Sequence, residues 1–269
     1  MTPKRFRDLV LAHHEAQGRH DLPWRRTKDA YRILVSEVML QQTQVERVIP
    51  FYHAFLESFP DVEALAKAPL SSVLLHWQGL GYNRRAKMLH EAAKTVVREH
   101  GGRMPTSVET LETLPGVGHY TARAIAAFAG NQDVVFVETN LRTAVTHHFF
   151  PGEEKVGDKD VLSILEKALP KGEARRWYSA LMDYGAHLKR QGIRVNAKSK
   201  GYAKQSAFAG SGREARGGIL KALAKGPKAE AYLLGILGPD RSEQLVLMLA
   251  KLSAEGLVEK KRNRYQLPA

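Results

Sequence analysis

The first apolar positions of the chain, Phe6, Leu9, Val10 and Leu11, recur at helical spacing and predict an amphipathic helix from Thr2 to Gly18. "DLPWRR" ends it, because proline disfavours helix in the residue before it. A second helical pattern runs from Tyr31 to Phe55 and is expected to break near Pro50. Short helices follow up to Gly102, with Asp61 and either Ser71 or Ser72 as N-caps. Period-two alternation is scarce before residue 255, so the expected fold class is mainly α.

Two stretches echo each other. "WQGLGYNRRAKMLHEAAKTVV" (77–97) and "LPGVGHYTARAIAAFAG" (114–130) both carry Gly-aliphatic-Gly, an aromatic or His, and then a helix of small and apolar residues. A glycine pair around one aliphatic residue suits a tight hairpin between helices. It leaves backbone N–H groups bare at the start of the next helix, where they and the helix dipole favour a phosphate. Glycine also lets a nucleic-acid backbone approach without a Cβ in the way. A plain corner between helices is the alternative for either motif taken alone.

After Gly201 the composition shifts. "GYAKQSAFAGSGREARGG" is rich in Gly, Ala and Ser, and residues 201–212 read as a basic linker or DNA-facing loop. Helices are expected at Gly218–Ala224, Ala231–Leu237 and Ser242–Glu255, the last begun by Ser242-Glu243-Gln244 as a cap. "GLVEKKRNRYQLPA" then alternates like a small hairpin. Three helices and a hairpin make residues 213–269 winged-helix-like, a pattern that contacts DNA or docks a protein.

Charge narrows the partners. The 269 residues hold 41 Lys and Arg against 28 Asp and Glu, a net +13, which points to a polyanion such as nucleic acid. Between Lys189 and Arg216 there are eight basic residues and one acid, Glu214, with Tyr202 and Phe208 interleaved. Lys198, Lys200 and Lys204 in that stripe are candidate phosphate contacts. There is no cysteine, which excludes disulfides, thiolate nucleophiles, iron–sulfur clusters and cysteine zinc sites. No apolar run is long enough to span a bilayer and the first residues carry charges, so a cytoplasmic protein without membrane contact is expected, nucleoid-associated if bacterial.

Two carboxylates stand out. Glu37 lies among Val38, Met39 and Leu40, where desolvation would raise its pKa and keep it a proton donor. The alternative is a first-turn helix charge after Ser36. Gln41-Gln42-Thr43 beside it offers uncharged donors and acceptors suited to base edges. Glu138, in "FVETN", follows the apolar "VVFV" and can be read as a cap, a surface charge or a catalyst. His147-His148 lacks a third ligand at useful spacing, so a structural or DNA-facing pair is favoured over a metal site.

"LPWR" (22–25), "SEVMLQQTQV" (36–45), "GLGY" (79–82), "LPGVG" (114–118) and "LMDYGA" (181–186) occur in this order. Together they resemble the helix-hairpin-helix DNA glycosylases, and most closely the MutY-type adenine glycosylases, over residues 5–190. The resemblance implies a two-lobed helix-hairpin-helix glycosylase domain over 1–200, one lobe near 23–129 and the other combining 1–22 with 130–200. It implies a monomer that acts on double-stranded DNA containing a mispair or lesion, flips the target nucleotide out of the duplex and hydrolyses its glycosidic bond. By motif match Glu37 is the general acid, and Glu138 with Asn140 stands where the family carries its second acid. Gln42 and Tyr82 match residues that wedge into the stack, and Trp24, Arg25, Leu40, Val45 and Asp183 match the base pocket. Gln41, Thr43 and the hairpin residues Leu114, Gly116, Val117 and Gly118 match DNA contacts, and the hairpin carbonyls near Gly116 and Gly118 match a K+ or Na+ site. Lyase members carry a lysine where this chain has Tyr120, which implies a monofunctional enzyme.

Three departures qualify the match. Glu138 replaces an aspartate, moving the charge by about 1.5 Å, one carbon–carbon bond. Lys189 stands where the family has its first cluster cysteine, in "GAHLKRQG", so no cluster and no other cofactor is expected. The resemblance also implies a Nudix-like C-terminal domain that helps recognise 8-oxoguanine opposite adenine, but a winged-helix-like segment is expected in its place. Uracil, thymine or another damaged base therefore stays an alternative target, as does DNA binding without catalysis.

Overall fold

The computed structural model describes residues 1–195, 198 and 207–269, and they are mainly helical. The chain divides into two compact units. The first comprises Met1–Glu37, Pro105–Thr113 and Val117–Lys204; the second comprises Val38–Met104, Leu114–Gly116 and Gln205–Ala269. No helix among the described residues is long and apolar enough to cross a membrane.

The first unit is built on α1 (Pro3–Gln17), α7 (Val108–Glu112), α8 (His119–Gly130), α9 (Thr139–Phe149), α10 (Asp158–Ala168) and α11 (Ala174–Arg190). Thr2 caps α1 by accepting from Arg5 N, and Pro3 occupies the first turn, where its missing N–H costs nothing. Helix α11 packs against α1, α8 and α9. Its buried Trp177, Tyr178 and Leu181 meet Phe6, Phe136, Leu141 and Val145 in one core. Gly185 marks the tightest contact: a Cβ there would strike the backbone carbonyl of Asn140 in α9. That explains the glycine of "LMDYGA" by close approach of two helices.

The second unit holds α3 (Val45–Ser58), α4 (Val62–Lys67), α5 (Leu70–His76) and α6 (Arg84–His100), then α12 (Gly212–Leu223), α13 (Glu230–Leu237) and α14 (Ser242–Ala254). Phe55 and Trp77 pack edge to face, and α4 lies along α6. The strands β1 (Glu259–Lys261) and β2 (Arg264–Gln266) pair antiparallel, Lys260 opposite Tyr265. Three helices followed by this hairpin agree with the expected winged-helix-like pattern, and Lys87 of α6 donates to the Glu255 carbonyl at the end of α14.

Several local expectations are corrected. The helical stretch from residue 31 breaks after α2 (Ala30–Leu40), at Gln41–Gln44, while Pro50 lies inside α3. Gln42 takes a left-handed conformation (φ 56°) that cannot continue a helix, whereas Pro50 is exposed and only leaves the exposed Glu46 carbonyl without its helical partner. Asp61 caps α4 as expected, but Pro69 precedes α5, placing Ser71 and Ser72 inside the helix. Helix α12 starts at Gly212, capped by Ser211, because the Gly217-Gly218 pair is accommodated in its interior. Ser242 is the first residue of α14 and makes no cap bond.

Candidate active site

Glu37 is the eighth residue of α2, so the reading as a first-turn charge does not hold. Its neighbours Val35, Val38 and Met39 are buried, and it is itself only 6% exposed. Burial first, opposed by a hydrogen bond from Tyr120 and aided by the Glu138 charge, raises its pKa to about 7. The Tyr120 hydroxyl donates to Glu37 Oε2 at 2.7 Å. Burial first, and then the Glu37 charge, hold that hydroxyl well above its ordinary pKa. A carboxyl poised near neutrality is suited to hand over a proton.

"FVETN" positions the second carboxylate by packing on one side and hydrogen bonding on the other. The Phe136 ring stacks on Tyr178 at 4.0 Å and meets Tyr120 edge-on at 5.6 Å. Two residues on, Glu138 is the N-cap of α9. Its Oε1 accepts from the N–H groups of Asn140 (2.7 Å) and Leu141 (2.8 Å). Its Oε2 accepts from Thr139 Oγ1 (3.1 Å) and Asn140 Nδ2 (3.3 Å). The reading as a cap thus holds, and the Glu138 charge also acts on Glu37, whose pKa it raises. The N–H groups and dipole of α9 stabilise an anion there.

Trp24 is buried in a 3₁₀ turn, Pro23–Arg25. Arg25 donates to both oxygens of Asp183, at 2.6 and 3.0 Å, and Arg19 donates to the same carboxylate through its backbone N–H (3.0 Å) and Nε (2.6 Å). Burial alone would raise the Asp183 pKa, but Arg25 and Arg19 outweigh it and bring it to about 2. Arg175 donates to the carbonyls of Arg25 (2.7 Å) and Thr27 (2.6 Å), holding the turn to α11. His148 Nε2 lies 2.7 Å from the Tyr184 hydroxyl, and no group of metal-ligating side chains occurs among the described residues.

In the second unit, Gln42 and Tyr82 (φ 48°) are left-handed, and Tyr82 is 39% exposed. Between their two turns lies Arg85, which the sequence reading missed. Its guanidinium donates to the carbonyls of Val38, Met39, Gln41, Leu80 and Gly81 and to Thr43 Oγ1, at 2.7 to 3.4 Å. It also lies over the Trp77 and Tyr82 rings. Those carbonyls would otherwise be orphans at a helix end and a turn. The signal available was an arginine three residues after "GLGY", and nothing in its spacing reveals its targets. Leu40 and Val45 are half-buried, bracketing the first turn. Gly116 has φ 76° and lies against Met88, so the hairpin glycine serves both conformation and packing. Leu114 and Val117 are buried, while Gly118 is exposed and precedes α8 with its backbone extended. Lys198 donates to the Pro151 carbonyl at 3.0 Å; Lys200 and Lys204 lie outside the described residues.

Residues 35–171 match the HhH-GPD superfamily base excision DNA repair protein model. The chain is 36% identical over 263 residues to an adenine DNA glycosylase of Mycolicibacterium smegmatis, covering 90% of this chain and 89% of that one. The chain belongs to the HhH-GPD superfamily of base excision DNA repair proteins. A Mycobacterium tuberculosis adenine DNA glycosylase is 40% identical over 193 residues, 68% of this chain and 62% of the relative. The solved structure of a thermostable thymine-DNA glycosylase superposes with a TM-score of 0.61 at 29% identity, over 68% of this chain and 86% of that one. This superfamily member is a DNA N-glycosylase of base excision repair with the helix-hairpin-helix glycosylase fold.

Proposed function

We propose that the chain removes adenine mispaired with 8-oxoguanine or guanine in duplex DNA, without cutting the strand. The observation that carries this reading is the buried Glu37 carboxyl, poised near neutrality beside the helix-capping Glu138. The similarity to adenine DNA glycosylases supports adenine as the base.

Glu37 gives its proton to a purine ring nitrogen. The glycosidic bond then breaks with its electron pair going to the base, and positive charge develops at C1′. Glu138 stabilises that cation or captures it transiently, water completes the hydrolysis, and the two carboxylates take the two roles of a retaining or inverting glycosidase pair. Asn140 steadies Glu138. Tyr120 occupies the position of a lyase amine without one, so the product is an intact strand with an abasic site. Gln42 and Tyr82 fill the stack as the base leaves it, and Trp24, Arg25, Leu40 and Val45 meet the extruded base. With both its oxygens held by Arg19 and Arg25, Asp183 acts by fixing Arg25. Gln41 and Thr43 meet base edges, and the Leu114–Gly118 hairpin contacts the DNA backbone, with its carbonyls open to a monovalent cation.

A panel of duplexes with single mispairs, scored for strand breaks before and after alkali, tests this. Adenine release opposite 8-oxoguanine, visible only after alkali, is the expected result. Equal nicking without alkali would overturn the monofunctional reading. Release of thymine or uracil alone would favour the second reading, which the likeness to the thymine-DNA glycosylase supports. Binding without release of any base would overturn both.

A further inference from the structure

Two residues of α11, one helical turn apart, both address Asn140. Gly185 lets the helix come against the Asn140 backbone, where a Cβ would strike the carbonyl. Four residues on, the Lys189 ammonium donates to Asn140 Oδ1 at 2.7 Å. An ammonium has donors and no acceptor, so it holds the amide oxygen towards itself. The amide NH2 then faces the other way, and Nδ2 donates to Glu138 Oε2 at 3.3 Å. Without the lysine, the long Nδ2 contact to Glu138 Oε2 is left to orient the amide, and its oxygen loses the 2.7 Å bond that ties it to α11. Lys189 is half-buried. Arg194 donates to its backbone carbonyl at 2.6 Å, so the end of α11 that carries it is itself tied down. Burial lowers the Lys189 pKa, and the charge of Glu138 opposes that change.

We propose that Lys189 is a positioning residue for base excision, acting on Glu138 through the amide of Asn140. The proposal rests on the reading of Glu138 as the second carboxylate. Lys189 does not touch the reacting atoms; it fixes which face of the amide Glu138 meets and so where Oε2 stands. Misplacement by about 1 Å costs on the order of a hundredfold in rate in well-ordered sites, which sets the scale of its effect.

The test is single-turnover excision by the full chain on a duplex bearing adenine opposite 8-oxoguanine, with DNA affinity and melting temperature measured alongside. Should the wild type spare that duplex, the uracil or thymine mispair it does cut takes its place. Lys189→Met should lower the rate by about 10- to 100-fold at unchanged affinity and melting temperature. Lys189→Arg, which keeps charge and donors, should restore most of it. Lys189→Gln serves if the methionine variant folds poorly. In a Glu138→Gln background, Lys189→Met should add little to the loss already present. A wild-type rate in Lys189→Met, or the same further loss in both backgrounds, overturns the proposal. So does a borohydride-trapped DNA adduct that disappears with Lys189, since that would make the lysine a nucleophile. Full activity in Glu138→Gln sinks the reading of Glu138 and this proposal with it. A loss in Glu138→Gln with none in Lys189→Met sinks this proposal alone.

Discussion

Glu37 and Glu138 are the same residue type in the same compact unit, yet their surroundings prepare them for opposite tasks. Glu37 sits inside a helix among apolar side chains and receives one hydrogen bond, from Tyr120. Glu138 stands at a helix start and receives four, two of them from backbone N–H groups. Desolvation favours the protonated form of the first, and the donors at the start of α9 hold the carboxylate of the second in place. The proposed chemistry, which needs one acid and one anion, would draw on where each glutamate lies along its helix.

The largest effect comes from breaking the acid side. Glu37→Gln should abolish excision, a loss of about a thousandfold or more, while leaving DNA affinity close to that of the wild type. Retained excision would remove Glu37 from the acid role. The same change should stabilise the fold at high pH. Glu37 keeps its proton up to about pH 7 in the folded chain, whereas the unfolded chain releases it near 4.5. The folded form binds more protons in that window, so stability falls as pH rises through it, by an upper bound of about 3 kcal/mol above pH 7. Glutamine carries no such cost. Thermal melts of the variant and the wild type should therefore coincide below pH 4.5 and diverge by pH 8, with the variant higher. Coincident melts at pH 8 would mean that Glu37 ionises freely in the fold.

The anion side is sharpened by Glu138→Asp. An aspartate is an equally good N-cap, so the melting temperature should hold within about 1 kcal/mol of stability. Its carboxylate sits about 1.5 Å nearer the backbone, away from the geometry that Thr139, Asn140 and Lys189 fit around glutamate. Excision should drop about tenfold. A rate equal to or above the wild type would show that Glu138 is a drifted aspartate whose surroundings never adjusted to it.

The two carboxylates also differ in how far the sequence revealed them. Burial of Glu37 was legible from Val38, Met39 and Leu40, and its upward pKa followed from that burial alone. The cap at Glu138 was one of three open readings, because capping depends on the φ and ψ of a single residue and on where the next helix begins. Helix types were read well where periodicity was long, as in α1 and α14, whereas the 17-residue α6 falls in a stretch read as short helices. The break at Gln42 was misplaced to Pro50, since the left-handed turn is fixed by carbonyls that Arg85 collects from segments more than 40 residues away in sequence. Lys189 was visible as a departure from the family pattern, but its target, Asn140, lies 49 residues away and is reached only because Gly185 lets two helices touch.

The smallest effect tunes the acid without removing it. The Tyr120 hydroxyl favours the ionised form of Glu37, against the burial and the Glu138 charge that favour the protonated one. Tyr120→Phe removes only the opposing influence, and the phenylalanine ring keeps the edge-on contact with Phe136. The Glu37 pKa should then rise above about 7. Because the acid must be protonated to act, the fall in excision with rising pH should move to higher pH. The rate on the plateau below it should change by no more than a few fold, since geometry is retained and a neutral carboxyl loses one acceptor contact. A single-turnover pH profile reads both quantities at once. If the falling limb stays in place while the plateau drops, Tyr120 acts by holding the Glu37 side chain in position, and its hydrogen bond has no part in setting the proton affinity.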